Sequence, residues 1–251
     1  MDGERAEARN IEAAYIESTL LGIQELKNNL VTQIAHNFRT PLTSVIGFAE
    51  MLLDDRPLTD EQRIEYARFI QYEGIRLSKL IDDVLALSSL ERGDTECRIR
   101  RHALQEIVTE AIANVSEFAR GRFVEIRKSF ASFPIMVPVD REKIVQAAYQ
   151  LLHNAVRFTG SKDEVMVSVN VVGSEAAIEI HDGGPGIPEE EIGSLLEAGG
   201  RMYRPEHDPR GTGIGLAIVK NIMDLHHGRV EVHSKVGRGS RFTLWIPGVQ
   251  E

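Results

Sequence analysis

The chain has 251 residues and a formal net charge of -9, with 42% hydrophobic and 27% charged residues. This length allows two compact domains, and this composition is typical of a globular protein with a buried core. Clusters of lysine and arginine hold nucleic-acid phosphates, so the acidic balance argues against an extended nucleic-acid surface. We therefore expect proteins and nucleotides as partners, and no nucleic acid.

The cysteine content and the lengths of the apolar runs indicate in which cellular compartment the chain lies. The single cysteine, Cys97, excludes an internal disulfide and is consistent with a reducing compartment. No histidine or cysteine pair has the spacing of a transition-metal site. No run reaches the roughly 18 apolar residues of a membrane-spanning helix. We expect a cytoplasmic chain, with the cytoplasmic part of a membrane sensor as a specific form of this expectation.

Residues 11–54 are predicted to form a long helix. Apolar side chains recur there at helical spacing, with Ile16, Ile23 and Leu30 seven positions apart. This spacing indicates a stripe that packs against a partner helix. The stripe begins at Ile16, and residues 1–15 are assigned to an N-terminal linker.

A second long helix is predicted after a break at DDRPLTDEQ. Thr59 and Gln62 have the spacing of a capping box, and apolar residues continue at helical spacing to about Arg92. Two long helices joined by a short turn predict an antiparallel hairpin over 16–92. A hairpin has too little core by itself, so we expect a homodimer that forms a four-helix bundle.

Residues 97–251 follow a short linker and mix helical with strand patterns. We predict helices near 103–120, from the capping residue Asp140 onwards and at 213–226, strands at 123–130, 165–171 and 176–181, a Gly- and Pro-rich loop over 183–210, and a terminal hairpin after Gly228. Strands and helices in this mixed order predict an α+β sandwich of two layers.

The segment His36-Asn37-Phe38-Arg39-Thr40-Pro41-Leu42 lies inside the first predicted helix. Pro41 removes a backbone hydrogen-bond donor and destabilises the helix by about 3 kcal/mol, which suggests that the segment has a function. Taken alone, the segment also fits a polar helix face with a tolerated proline.

Three polar side chains share one face of the helix that Asp140 begins: Gln150, Asn154 and Arg157. Amide oxygens can complete the coordination of Mg²⁺, and an arginine can bind phosphate oxygens as a fork. Gln150 and Asn154 are therefore candidate metal ligands. An exposed polar stripe is the alternative.

Two glycine-rich segments follow. Asp182 ends a predicted strand and begins Asp-Gly-Gly-Pro-Gly-Ile, where a carboxylate can accept from an exocyclic amine and glycines let the backbone approach a ring. A plain turn is the alternative. The segment Arg-Gly-Thr-Gly-Ile-Gly-Leu at 210–216 leads into a helix whose free N–H groups can bind phosphates. A dinucleotide-binding fold is disfavoured, because Gly211 follows a loop and no βαβ unit surrounds it.

In this order, the three elements resemble the N, G1 and G2 boxes of the nucleotide-binding fold shared by histidine kinases, heat-shock chaperones, type II topoisomerases and mismatch-repair proteins. The His-Asn-Phe-Arg-Thr-Pro-Leu segment resembles the phosphoacceptor box of histidine kinases, which alone among these relatives place a helical hairpin upstream. The resemblance covers about residues 16–247. It implies a sensor histidine kinase core, with the dimeric hairpin followed by a two-layer ATP-binding domain over 97–251.

The resemblance also implies roles for single residues. His36 would attack the γ-phosphate of ATP and pass the phosphoryl group to an aspartate of a separate response regulator. Thr40 would position a water that dephosphorylates the regulator, and Asn154 with Gln150 would hold Mg²⁺. The other implied nucleotide contacts are Arg157, Phe158, Asp182, Gly184, Gly186, Ile187, Gly211, Thr212, Gly213, Gly215 and Leu216, and Arg204 in the lid between Gly186 and Gly211.

The chain departs from the family pattern at three places. Asn37 stands where the family usually has an acidic residue that takes the histidine proton, and an amide cannot accept it. General-base assistance is worth roughly 10²–10⁴ in rate, so slow autophosphorylation is expected. Gln150 stands where an asparagine is common, and the lid lacks the usual phenylalanine-rich segment.

Three functions are therefore compared. The first is an ATP-dependent protein-histidine kinase that also dephosphorylates its regulator. The second is a phosphatase-biased or weakly active kinase that binds nucleotide and sequesters the regulator, which Asn37 and the altered lid favour. The third is an ATPase of the chaperone or topoisomerase kind, which would form no phosphohistidine.

Overall fold

The computed structural model describes residue 35 and residues 37–54, 57–91, 96–196 and 214–249. The described residues divide into two compact units, with the boundary between Asp82 and Asp83. The predicted linker at 1–15 and the apolar stripe from Ile16 to Leu30 lie outside the described residues. The boundaries 16–92 and 97–251 stay a prediction.

The first unit contains two helices. The described part of α1 covers 37–53, and α2 spans Asp60–Glu91; its C-terminal part, from Asp83, belongs to the second unit. The capping box is present: Thr59 N–H donates to Gln62 Oε1 over 3.0 Å, and Gln62 N–H donates to Thr59 Oγ1 over 3.2 Å. These reciprocal bonds satisfy two of the donors that a helix start leaves open, which explains where α2 begins.

Aromatic side chains hold α1 against α2. The ring of Phe48 stacks on that of Phe69, with centroids 4.7 Å apart, and contacts Tyr66 at 5.6 Å. Such pairs add about 0.5–1.5 kcal/mol each beyond the burial of their surface. Other large apolar side chains of the first unit stay exposed, among them Leu42, Ile46, Met51, Leu53, Ile64, Tyr72 and Ile75.

The second unit is built on a five-stranded sheet in the order β2-β4-β5-β7-β6, with a separate two-stranded sheet of β1 and β3. The β2–β4 pair is parallel, and the other pairs are antiparallel. The strands are β1 Arg100–Ala103, β2 Glu125–Phe130, β3 Met136–Val139, β4 Glu164–Val172, β5 Glu175–Asp182, β6 Arg229–Ser234 and β7 Ser240–Pro247. The helices are α3 Leu104–Gly121, α4 Arg141–Phe158, α5 Glu189–Leu196 and α6 Gly215–Leu225.

One face of the large sheet carries the core. Alternate residues of β4 and β5 are fully buried, including Val165, Val167 and Ile180, because successive strand residues point to opposite faces. The buried sides of the helices supply the second layer, among them Ile107, Ile144, Leu151, Ile218 and Ile222. The predicted two-layer sandwich is confirmed. Among the described residues, no helix has the length and apolar content that crossing a membrane requires.

The prediction of secondary structure was wrong in two places. The segment 183–210, predicted as a loop, contains α5, which starts after Pro188 with three acidic residues in its first turn. Carboxylates there interact favourably with the positive end of the helix dipole, a signal hidden by the neighbouring Gly and Pro residues. Strands β1 and β3 were missed because each has four residues, too few to show an alternating pattern.

Candidate functional site

Asp182 lies at the end of β5 and is 5% exposed. Its Oδ1 accepts from Gly184 N–H over 2.9 Å and from Ser240 N–H over 3.3 Å. Burial raises the pKa of this carboxyl, while the two N–H donors and nearby His181 act in the opposite direction. Among the described residues none donates to Oδ2, so this oxygen is left to accept from a ligand amine.

The two glycines predicted beside Asp182 stand where a side chain does not fit. A Cβ on Gly184 would lie 2.7 Å from Asp182 Oδ1 and 3.0 Å from the carbonyl oxygen of Phe158. Gly186 has a φ of +73°, and a Cβ there would lie 2.1 Å from the carbonyl oxygen of Lys235. Gly184 therefore keeps its backbone close to Asp182 and Phe158, and Gly186 keeps its backbone close to Lys235.

The turn between β6 and β7 packs against the backbone at Asp182 and Pro185. This contact was not predicted from the sequence. Gly239 has a φ of +83°, and a Cβ there would lie 1.9 Å from the carbonyl oxygen of Asp182. Gly237 N–H donates to Pro185 O over 2.7 Å, and Ile187 N–H donates to Ser234 Oγ over 2.8 Å. The Val-Gly-Arg-Gly-Ser sequence was the available signal, since glycines after a strand mark close backbone approach.

Helix α4 carries the amide pair. Asp140 caps its start by accepting from Lys143 N–H over 3.2 Å, as predicted. Asn154 is half-buried, and its side chain forms no hydrogen bond with another described residue, so its amide oxygen fits a Mg²⁺ ligand. Gln150 is different: it is 6% exposed and donates from Nε2 to Asp83 Oδ1 over 2.8 Å.

The end of α4 lies beside Asp182, Gly184 and Gly186, the residues predicted to hold a flat ring and here called the ring pocket. The Arg157 guanidinium carbon lies 4.7 Å from the centroid of the Phe158 ring, and Phe158 is 37% exposed. Thr159, which the sequence analysis did not single out, is 1% exposed, and its Oγ1 forms no hydrogen bond among the described residues. A buried hydroxyl of this kind usually has a partner, so water or a ligand is expected there.

Helix α6 begins at Gly215, and among the described residues no side chain caps its first turn. The first N–H groups of a helix have no acceptor within the helix, and its dipole favours an anion there. A Cβ on Gly215 would lie 3.0 Å from Gln150 Oε1, so α6 starts against α4, and half-buried Leu216 follows. Arg204, Gly211, Thr212 and Gly213 lie outside the described residues.

The hairpin region and the region that contains the Asp182 pocket each match a known domain family. Residues 26–93 match the family described as "His Kinase A (phospho-acceptor) domain". Residues 139–250 match "Histidine kinase-, DNA gyrase B-, and HSP90-like ATPase". The chain belongs to the sensor histidine kinases. The second unit is therefore a histidine-kinase ATPase domain, and the ring pocket at Asp182 lies within it.

Individual relatives support the same family. The chain is 34% identical over 228 residues to the circadian input-output histidine kinase CikA of Synechococcus elongatus. The aligned segment covers 88% of this chain and 30% of CikA. The structure of full-length ShkA in complex with AMPPNP is 26% identical, with a TM-score of 0.63 over 89% of this chain and 46% of ShkA. The structure of ThkA with the response regulator TrrA has the same fold, at 20% identity and a TM-score of 0.70 over 88% of this chain and 61% of ThkA. The chain thus spans less than a third of the length of CikA.

In the kinase hairpin, the described residues of the phosphoacceptor segment are helical. Asn37 is 3% exposed. Thr40 follows on α1, and its carbonyl oxygen accepts from Ser44 Oγ over 3.3 Å. His36 lies outside the described residues, so its role and those of Asn37 and Thr40 stay predictions.

Cys97 belongs to a structural cluster of the kinase. Its Sγ lies 4.0 Å from His226 Nε2, but that nitrogen accepts from Asp140 N–H over 2.9 Å, and Nδ1 donates to Ile222 O over 2.7 Å. Burial lowers the pKa of His226 and raises that of Cys97. A neutral histidine with both nitrogens bonded cannot act as a base for the thiol, so this cluster has no catalytic arrangement.

Proposed function

We propose that this chain is a catalytic core that transfers the γ-phosphoryl group of ATP to His36 and then to an aspartate of a response regulator. The observation that carries the proposal is the Asp182 pocket, whose buried carboxylate keeps one oxygen for a ligand amine. Adenine offers such an amine, and the close packing at Gly184 holds the Phe158 backbone beside the Asp182 carboxylate. The AMPPNP complex of ShkA supports a nucleotide as the ligand.

The other site residues have assigned tasks around the nucleotide. Phe158 packs near the base, and Arg157 beside it binds phosphate oxygens. The start of α6 at Gly215 binds phosphates through its N–H groups and the helix dipole. Asn154 holds Mg²⁺, which neutralises the charge of the phosphates when bound. We assign Gln150 a weaker part in metal binding, because its side chain is only 6% exposed and its Oε1 lies against the start of α6 at Gly215.

The chemical step forms one bond and breaks one. A ring nitrogen of His36 attacks the γ-phosphorus, the bond to the bridging oxygen breaks, and ADP leaves. The imidazole must also lose a proton, which Asn37 cannot accept. Because phosphoryl transfer depends mostly on positioning and charge neutralisation, we expect a slow reaction and not an absent one.

The second candidate is a phosphatase-biased kinase that binds nucleotide and retains the regulator. Two features favour it over a fast kinase: the amide at Asn37 and a lid that lacks the usual phenylalanine-rich segment. Thr40, one helical turn after His36, would position the water that attacks the regulator's phosphoaspartate.

We also propose a homodimer and a response-regulator partner. The exposed apolar side chains of α1 and α2 need a cover, and a second hairpin completes a four-helix bundle. The ThkA complex with TrrA supports a response regulator as the partner.

Incubation with γ-labelled ATP and Mg²⁺ tests the proposal. If the chain is a histidine kinase, the wild-type protein should carry label that acid removes. The His36→Ala variant should carry none. Tight nucleotide binding without label would instead support the phosphatase-biased kinase. ATP hydrolysis without acid-labile label would support an ATPase of the chaperone kind and overturn both.

A further inference from the structure

A cluster of basic residues, here called the basic pocket, lies on the face of the large sheet opposite the core. His181, His233, Lys235, Arg238 and Arg241, with Ser234, Gly239 and Ser240, line a cavity of about 310 Å³. His181 directly precedes Asp182 on β5, so the two side chains point to opposite faces. The basic pocket and the ring pocket therefore lie on the two sides of the same strand.

The strand register brings three of these side chains together. Arg241 of β7 is paired with His181 of β5 on one side and with His233 of β6 on the other. Directly opposite residues in a sheet have Cβ atoms about 4.5–5.5 Å apart, so the three side chains lie next to one another on one face. Lys235 and Arg238 come from the turn between β6 and β7 and add to the same cavity.

Nearby carboxylates do not balance this charge. Within the part of the chain that the structure describes, Lys235, Arg238 and Arg241 have no carboxylate within the 4.0 Å of an ion pair, and His233 is paired only with Glu231 at 3.3 Å. The chain as a whole has a net charge of -9, so an unbalanced basic cluster is a local exception. Such a cluster is stabilised by an anion.

We propose that the basic pocket binds a small ligand that carries at least two negative charges as phosphate groups. Arginine and lysine are the residues that recognise phosphate. The cavity volume lies near the lower end of the range for small-molecule sites. Five basic side chains converge on one cavity, which favours a compact ligand. An extended acidic segment would instead be matched by basic side chains arranged in a row.

The ligand would act on nucleotide binding. The turn that supplies Lys235 and Arg238 also contacts Gly186 through the Lys235 carbonyl and Asp182 through Gly239. A ligand that orders this turn changes the affinity of the ring pocket, and the nucleotide changes the affinity of the ligand by the same factor. This regulatory step rests on the proposed function, whereas binding itself does not.

The test is calorimetric titration of the full chain with pyrophosphate. A saturating concentration of ADP first fills the ring pocket, and ADP binding is measured separately, so failure of the nucleotide site is visible on its own. The proposal expects saturable binding of one pyrophosphate per chain. In the double variant Arg238→Ala, Arg241→Ala the affinity should fall roughly tenfold or more, because each lost charge removes a charge-assisted hydrogen bond.

Arg100→Ala is the matched control, because Arg100 is also exposed and on a strand but lies in the two-stranded sheet. It should bind pyrophosphate like the wild type. Binding that is absent, or that Arg100→Ala weakens as much as the double variant does, overturns the proposal. An acidic peptide that binds more tightly than pyrophosphate and displaces it would also overturn it, in favour of a protein partner.

Discussion

Gln150 and Asp83 are joined by a buried hydrogen bond in which Gln150 Nε2 donates to Asp83 Oδ1 over 2.8 Å. Both side chains are nearly inaccessible, at 6% and 5% exposure. Asp83 belongs to the C-terminal part of α2 and Gln150 to α4, so the bond ties two helices of the second unit together. The position at which the resemblance implies a metal-binding amide is thus held by a carboxylate from α2.

We predict that Asp83→Ala lowers the free energy of unfolding by about 1–3 kcal/mol, because it leaves a buried amide donor without its acceptor. Asp83→Asn keeps an acceptor oxygen and should lose less. Urea denaturation of both variants measures the difference. Asp82→Ala is the control, since Asp82 is exposed, and equal losses for Asp82→Ala and Asp83→Ala would refute the role of the bond.

Replacement of Asp182 by Asn should weaken ADP binding without unfolding the protein. The amide oxygen can still accept from Gly184 and Ser240, but the amide nitrogen replaces the free oxygen and cannot accept from an amine. Loss of a hydrogen bond to a charged group costs about 1.5–3 kcal/mol, which corresponds to roughly 10–100-fold in affinity. Calorimetry measures it, with Glu179→Gln on the opposite face of β5 as the control that should bind normally.

Acid should destabilise the second unit through His226. Burial lowers the pKa of this histidine, with Lys143 and His227 acting in the same direction and the Ile222 carbonyl and Asp140 in the opposite one. The unfolded chain takes up the proton first, so stability should fall as the pH drops below the ordinary histidine pKa of about 6.5. His226→Gln keeps an acceptor for Asp140 N–H but does not titrate. A stability profile between pH 7 and 5 with the same slope in both proteins would contradict this assignment.

Autophosphorylation should be limited by the missing base at position 37. Asn37→Glu supplies a carboxylate that can take the histidine proton and should raise the initial rate of phosphohistidine formation, by up to roughly 10²–10⁴-fold. In Asn37→Gln the new side chain has the shape of glutamate but cannot accept a proton, so phosphohistidine formation should stay slow. Equal rates in the wild type and Asn37→Glu would show that another group or water already accepts the proton.

Local sequence signals predicted the fold well where the contacts themselves are local. The Thr59–Gln62 capping box was readable because its two partners lie three residues apart. The valines of β4 were readable because their alternation lies within one nine-residue strand. Asp182 was found because the strand end, the carboxylate and the neighbouring glycines follow one another directly in the sequence. Its burial and its two N–H partners became visible only in the structure.

Contacts between distant parts of the chain could not be predicted from one sequence. Asp83 and Gln150 are 67 residues apart, and no pattern in either helix marks them as partners. Gly239 approaches the Asp182 carbonyl across a strand pair, and the basic pocket depends on the register of β5, β7 and β6. Strands β1 and β3 pair over a long separation, and each has too few residues to show an alternating pattern.

The residue that carries the phosphoryl group decides whether this chain is a kinase that modifies His36. After incubation of the full chain with ATP and Mg²⁺, peptide mapping at alkaline pH should find the mass of one added phosphoryl group on the peptide that contains His36. The modification should be absent in His36→Ala and strongly reduced in Asp182→Ala. A phosphoryl group on another residue, or an undiminished yield in Asp182→Ala, would contradict the account that the Asp182 pocket delivers the nucleotide for transfer to His36.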